Sequence, residues 1–456
     1  MARRYVFLVF LSVVLLAPLP FASNRPWSWS LLSALVGALM IMEALTARDR
    51  SEVLRRFLIR MAPGLVLMGV VASWAWLQTV TGLPADVVHP LWFDAATAIG
   101  RPVEPVISLD PEATRTSLMR LLAYAGVFWI AARFCRDAEN AALTLRAFVA
   151  ASGVYALYGL ILYFADIEMI LWFEKWAYET DLTSTFVNRN SYATFAGLGM
   201  IASVALVFDQ IGERLRGGFS GRQLARVSLE WLFSEAWLPL LAMLFTATAL
   251  FLTHSRGGTL STGLALFVLL VLLIRADMLP RKIGYGFLAI SLLVSAFAFT
   301  MSADLVVERL RRTTLDTSIR DELFARVIDA IGANPILGAG YGTFETAFKA
   351  FKTPELSFAN WDKAHNSYLE LAFELGIPAT AAIILVFVWL AGVCVAGLIR
   401  RRRRQTYAAI GLSATVLVAA HASVDFSLQI PGFTVSYALL MGLAWAQSWP
   451  TRRRKD

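Results

Sequence analysis

The chain has 456 residues, 58% of them hydrophobic and only 16% charged, with a mean hydropathy of +0.61. No water-soluble domain has an interior large enough to hide that composition, so the sequence is read as an integral membrane protein that crosses the bilayer many times. A net charge of +8 would point a soluble protein towards nucleic acid, but here the basic residues sit in short clusters between apolar runs, and no nucleic-acid partner is expected.

In chain order, apolar segments fall at 5–21, 27–47, 60–82, 117–134, 145–165, 191–209, 236–253, 258–274, 283–301, 376–399, 406–424 and 433–448. Each is long enough, with its flanks, to cross about 30 Å of hydrocarbon as a helix. A β-barrel is excluded, since its strands alternate in polarity and are half as long. The predicted fold is therefore all-α, a single membrane domain over 1–456 with about twelve transmembrane helices. The start, "MARR" followed by an apolar run and "PFAS", also resembles a cleavable signal peptide. It is read as an uncleaved first helix, because removing it would leave an odd number of spans.

Basic residues gather at Arg3 and Arg4, Arg48 to Arg60, Arg133 to Arg146, Arg214 to Arg226, Arg275 to Lys282, Arg400 to Arg404 and Arg452 to Lys455. With this span count they all fall on one side, which the positive-inside rule makes the cytoplasm, together with both termini. Cys135 and Cys394 imply no disulfide framework.

Segment 302–375, between the ninth and tenth spans, is too polar to cross and too long for a passive connector. Within it "TSIRDELFARVIDAIGAN" sets Leu323, Val327 and Ile331 at helical spacing, which predicts an amphipathic helix near the outer membrane surface. The glycines of "ILGAGYGTF" supply a bend and no phosphate loop, which would need a preceding strand and a lysine.

Chemistry-bearing residues concentrate on the outward side. In "WDKAHNSYLELAFELGIP", Ser367 stands three residues before Glu370 in a Ser-x-x-Glu capping pattern, which puts His365 just outside a helix N-terminus. The positive dipole end there favours a neutral imidazole able to accept a proton, and a nearby anion. An interfacial histidine bonded to a backbone carbonyl accounts for the position equally well. Arg256, in the tight turn "THSRGGTL", and Arg320, opening the amphipathic helix, are forks suited to a pyrophosphate. The plainer alternative is a salt bridge for each, Arg320 with Asp316 or Glu322. Arg189, flanked by Asn188 and Asn190 in "TFVNRNSYATF", offers donors and acceptors suited to sugar hydroxyls. Together these groups suit a lipid-linked pyrophosphate sugar whose lipid lies between helices. Metal chemistry is weaker, because His89, His254, His365 and His421 are scattered. Asp166 and Glu168 form the one Asp-x-Glu considered as a divalent site, and no metal is expected.

"GAGYGTF", "HNSYLELAFELGIP", "FVNRNSYATF", "SRGG" and "HASVDFSLQIPGF" together resemble the O-antigen ligase and polymerase superfamily of bacterial envelope glycosyltransferases, over most of the chain from about residue 183 onward. The resemblance implies about twelve helices in the bacterial inner membrane, with 302–375 as a large periplasmic loop carrying amphipathic helices. It implies transfer of a glycan from undecaprenyl pyrophosphate to an acceptor hydroxyl, on lipid A core or a growing glycan, inverting and without cofactor or metal. Carried over, the essential arginines fall on Arg256 and Arg320 and the essential histidine on His365; beside them Arg189, Asn188, Asn190 and Asn366 are expected to bind substrate. In the ligase pattern His365, Asn366 and Gly376 fit, whereas Ala379 stands where glycine, threonine or tyrosine is expected, so ligase and polymerase both stay open. A lipid-linked glycan flippase, a polysaccharide transporter and a protein O-oligosaccharyltransferase are the alternatives. The absence of visible inverted repeats counts against transport.

Overall fold

The computed structural model describes residues 1–47, 51–215, 230–276, 285–286, 289, 321–357, 360–401 and 405–449. The chain forms α1 (Ala2–Leu16), α2 (Pro26–Thr46), α3 (Ser51–Leu77), α4 (Leu91–Ile99), α5 (Pro111–Phe134), α6 (Ala138–Phe164) and α7 (Arg189–Leu215). There follow α8 (Trp237–Leu252), α9 (Arg256–Arg275), α10 (321–333), α11 (Ser367–Leu375), α12 (Ile377–Arg400), α13 (Gln405–Ala422) and α14 (Pro431–Gln447). The strand content described is one two-residue hairpin, Met169–Ile170 against Phe173–Glu174. Among the described residues eight helices are long and apolar enough to cross a membrane, namely α2, α3, α5, α6, α7, α8 with its preceding turn, α9 and α12. The shorter α1, α13 and α14 pack into the same bundle. Every predicted span within the described residues coincides with a helix, while almost all of the ninth, 283–301, lies outside them.

Two helices lack a lipid face. Every residue of α14 is buried, and so is nearly all of the apolar part of α7. Their sequences are apolar or small on every side, as a central position demands. At Gly442 of α14 the α5 backbone comes so close that a Cβ would stand 2.7 Å from the Phe128 carbonyl oxygen. Peripheral helices read differently, for Leu31, Ile41 and Leu45 of α2 and Val66, Val70 and Trp76 of α3 are large apolar side chains left exposed, as lipid contact requires. Cys135 and Cys394 are free and buried.

The loop segment before α12 builds a core of its own. The apolar face of α10 turns Leu323, Val327 and Ala330 into protein, against Phe344, Phe348 and Phe373, and not onto the membrane surface as its pattern suggested. The cover comes from the same segment, where Phe344 stacks on Phe348 at 4.9 Å and meets Phe373 edge-on at 5.5 Å. The glycine-rich bend joins this core to the bundle. Gly340 and Gly342 have φ of +114° and +78°, and a Cβ on either would collide with Ser108 or Ser117. Gln78, just past the end of α3, donates to the Leu337 and Glu374 carbonyls at 2.8 and 3.0 Å and accepts from the Tyr341 N–H at 3.0 Å.

Two buried carboxylates share one face of α11. Glu370 accepts from the Ala364 N–H at 2.8 Å and faces Lys363 Nζ at 3.5 Å, whereas Glu374 accepts from the Phe344 N–H at 3.0 Å. Burial, and after it the negative charge of Glu370, push Glu374 up to about 8 against the opposing pull of Lys363 and nearby N–H groups.

Candidate functional site

At one end of the bundle five chain segments converge: the loop after the hairpin with Tyr178 and Asp181, the start of α7, the turn between α8 and α9, the residues before α11, and the loop after α13. Local sequence explains each placement. Ser255 caps α9, accepting from the Gly258 N–H at 3.2 Å, so Arg256 is the first residue of that helix and is exposed. Gly257 follows, and a Cβ there would lie 3.1 Å from Val424 and 3.7 Å from Nε2 of His421. That close approach brings "SRGG" against "HASVD".

His365 lies on the same surface. Its Nδ1 stands 3.4 Å from Oδ1 of Asp425, with the Asp425 side chain 2% exposed and that of His365 25%. At this separation the two groups face each other without a hydrogen bond, and a small ring rotation would close one. The imidazole packs edge-on against Phe426 at 5.1 Å. Asp425 is itself fixed, since the Ser367 hydroxyl donates to its carbonyl at 2.9 Å and its own Oδ1 accepts from the Phe426 N–H at 2.8 Å. Its Oδ2 is buried without a partner among the described residues. Burial acts to raise the Asp425 carboxyl, but His365, the charge of His421 and the Phe426 N–H outweigh it and hold the group below the usual carboxylate range.

A second polar group adjoins the first. Asp181 accepts from Arg189 Nη1 at 2.7 Å through Oδ2 and meets Nδ1 of His254 at 2.8 Å through Oδ1. Burial alone would raise Asp181 as well, yet His254 and Arg189 bring it down. Arg189 also stacks over Tyr178, 5.3 Å from the ring centre. Burial and then the negative field of Asp425 raise the Tyr178 hydroxyl. Ser427 links the groups further, 3.2 Å from His421 Nδ1 and 3.0 Å from Thr194 of α7. Both His254 and His365 have left-handed backbones, with φ of +51° and +52°, an uncommon conformation for histidine that concentrates where geometry is imposed.

The predicted residues fare differently. Arg256 and His365 come to one surface through the loop after α13, and among the described residues no carboxylate lies within ion-pair distance of Arg256. Arg320 lies outside the described residues. Asn188 and Asn366 are helix caps. Asn188 accepts from the Asn190 and Ser191 N–H groups at 2.7 and 3.1 Å, and Asn366 accepts from the Tyr368 and Leu369 N–H groups at 3.0 and 3.1 Å. Their carbonyl oxygens are thus committed to backbone, and the Asn188 amide donates to Tyr178 at 3.4 Å. Asn190 is half-buried at the start of α7, and Arg189 is held by Asp181.

The cap of α11 is a correction: Asn366 fills the role predicted for Ser367, whose hydroxyl is instead taken by Asp425, while Glu370 reaches the Ala364 N–H. Asp425, Asp181 and Tyr178 were not singled out from the sequence. The available signal was Asp425 one turn after His421 in the block "HASVDFSLQIPGF". Among the described residues no three His, Cys, Asp or Glu side chains are grouped to hold a metal ion.

The fold and this end together define a polytopic α-helical membrane protein with a polar centre of histidine, arginine and buried carboxylates at one end of its bundle. Residues 241–384 match the family model of the O-antigen ligases, which places this segment in the O-antigen ligase and polymerase superfamily and supports a glycan-transferring membrane enzyme. The match takes in Arg256, Arg320 and His365, whereas Asp181, Arg189 and Asp425 lie outside it. No curated protein matches the chain.

Proposed function

We propose that the chain transfers a glycan from undecaprenyl pyrophosphate to an acceptor sugar hydroxyl at the periplasmic face of the inner membrane, as an O-antigen ligase or as a polymerase of repeat units. The observation that carries this reading is the His365–Asp425 pair set beside the N-terminus of α9, where Arg256 has no counter-charge within reach among the described residues. An ionised Asp425 favours the tautomer with hydrogen on Nδ1, which leaves Nε2 to accept a proton. In the proposed reaction Nε2 takes the acceptor's hydroxyl proton as its oxygen bonds to the anomeric carbon. The bond from that carbon to the phosphate oxygen breaks, and the electron pair leaves with the lipid pyrophosphate. Attack opposite the leaving group inverts the anomeric centre.

Pyrophosphate is a good leaving group, so its growing charge calls for fixed cations and not for a strong acid. Arg256 meets that need with its guanidinium and with the helix N-terminus it opens, and Arg320 is proposed as its partner. Metal-independence, the twelve-span topology, both termini in the cytoplasm and 302–375 as a periplasmic loop are parts of the same proposal. It rests on the basic clusters and on the family match at 241–384. The test is transfer by purified protein from a lipid-pyrophosphate glycan to a sugar acceptor. Loss of product in Arg256→Ala, Arg320→Ala and His365→Ala, each still folded and inserted, is expected. Full activity in all three, or movement of donor between leaflets with no new glycosidic bond, would overturn the reading.

A further inference from the structure

The opposite end of the bundle holds a second feature that glycan transfer does not use. Along the 24 residues of α12, about 36 Å of axis separates Ile377, which follows α11 and bonds to the Pro335 carbonyl, from Arg400. Near Arg400 a cavity of about 220 Å³ opens between α12 and the end of α14. Trp389, Gly392, Ala396, Arg400 and Trp449 are among its lining residues. The wall is rigid, because Trp389 is seated on Gly64 of α3, and Trp445 packs between it and Trp449 at 6.4 and 5.6 Å.

Three observations specify what fits. Arg60 of α3 lies over the ring of the lining residue Trp449 at 4.5 Å, Arg400 lines the cavity itself, and neither guanidinium has a carboxylate in ion-pair reach among the described residues. The indole N–H of Trp449 is buried and has no acceptor among the described residues, so this lining residue keeps an unused donor. Finally, the neighbouring α12 side chains Val388, Val395 and Ile399 are exposed along the apolar face, which gives lipid a way in. The volume is below the roughly 300 Å³ of ordinary small-molecule sites and suits a headgroup with the first part of a chain.

We propose that this groove binds one anionic phospholipid, its phosphate between Arg60 and Arg400 and accepting from the Trp449 N–H, with an acyl chain along Gly392 and Ala396. Arginine forks and an indole donor match a phosphodiester, and the small residues leave the chain its channel. Cations near the interface without counter-charges among the described residues call for lipid charge instead.

The experiment uses delipidated full-length protein in detergent, titrated with phosphatidylglycerol, with phosphatidylcholine of the same chains, and with inorganic phosphate. Thermal unfolding and native mass spectrometry are the readouts. Phosphatidylglycerol is expected to raise the melting temperature and to remain bound as a single lipid, and the other two are expected to do neither. Arg60→Gln should weaken that binding about tenfold, the loss of one charge-assisted contact. Gly392→Leu tests the same groove without touching charge. A Cβ there meets nothing within 4 Å, so the larger side chain folds and fills the channel, and it should weaken binding similarly. Equal stabilisation by phosphatidylcholine or by phosphate alone, or unchanged binding in both variants, overturns the proposal.

Discussion

A buried carboxylate stays ionised only if the groups facing it are cationic or donate hydrogen bonds. Asp425 meets that condition through His365 and the Phe426 N–H. Because its folded value is depressed, the stability it contributes is present above the ordinary carboxylate range and is lost as pH falls through the lowered value. If His365 is the proposed base, Asp425→Asn keeps the shape and removes the charge that selects the Nδ1–H tautomer. Transfer is then expected to fall by about 10²-fold or more in kcat, with KM for donor nearly unchanged, in a steady-state assay on purified protein. Asp181→Asn makes a different forecast. It frees Arg189 and His254 without touching His365, so the expected loss is in KM for the sugar-bearing substrates, with kcat changed only about two- to threefold. Separate KM and kcat measurements on the two variants distinguish a residue that orients the base from one that orients substrate.

Helices were legible because a bilayer imposes one pattern, a run of apolar residues ended by charge, and both α9 and α12 follow it from first residue to last. Pairings made by loops were not. The Leu323 and Val327 face of α10 could be seen in its spacing, but nothing local says that Phe344 and Phe373 cover it in place of lipid. Arg256 stood out because two spans separated by a tight turn leave its position little choice, whereas the contact of His365 with Asp425 depends on a fold that brings distant loops together. The cap of α11 moved by one residue for a similar reason: an adjacent asparagine caps as well as a serine, and only tertiary structure shows that Asp425 claims the Ser367 hydroxyl. At this scale the bend before α11 is the sensitive element. Gly342→Ala adds a Cβ onto Ser117 and forces φ of +78° on a residue that resists it, so a loss of about 1–3 kcal/mol is expected in thermal or denaturant unfolding. Gly332→Ala, in open space within a helix, should be neutral or stabilising by about 0.5–1 kcal/mol and serves as the control.

For the whole molecule, the question is what joins the small loop core to the bundle, since the proposed base hangs between them. Glu374 sits at that join. Its carboxyl takes the Phe344 N–H from the loop core, while its backbone carbonyl accepts from Gln78 and from the Gly340 N–H at 2.9 Å. With its folded value raised to about 8, Glu374 holds its proton in the native state at pH values where an unfolded glutamate has lost it. Between the ordinary value near 4.5 and about 8 the folded chain therefore binds more protons than the unfolded one, so stability from this group is complete below that window and declines as pH rises through it. The residue mimicking the protonated form is glutamine, whose carbonyl still accepts from Phe344 and which never ionises beside Glu370. Glu374→Gln should leave the melting temperature near pH 4 almost unchanged and raise it relative to wild type at pH 8.5, flattening the profile between. A parallel slope in the two proteins would mean that another group governs the pH dependence. A fall at pH 8.5 would mean that the carboxylate is stabilised there by its neighbours, with Lys363 the first to replace in a double-variant cycle.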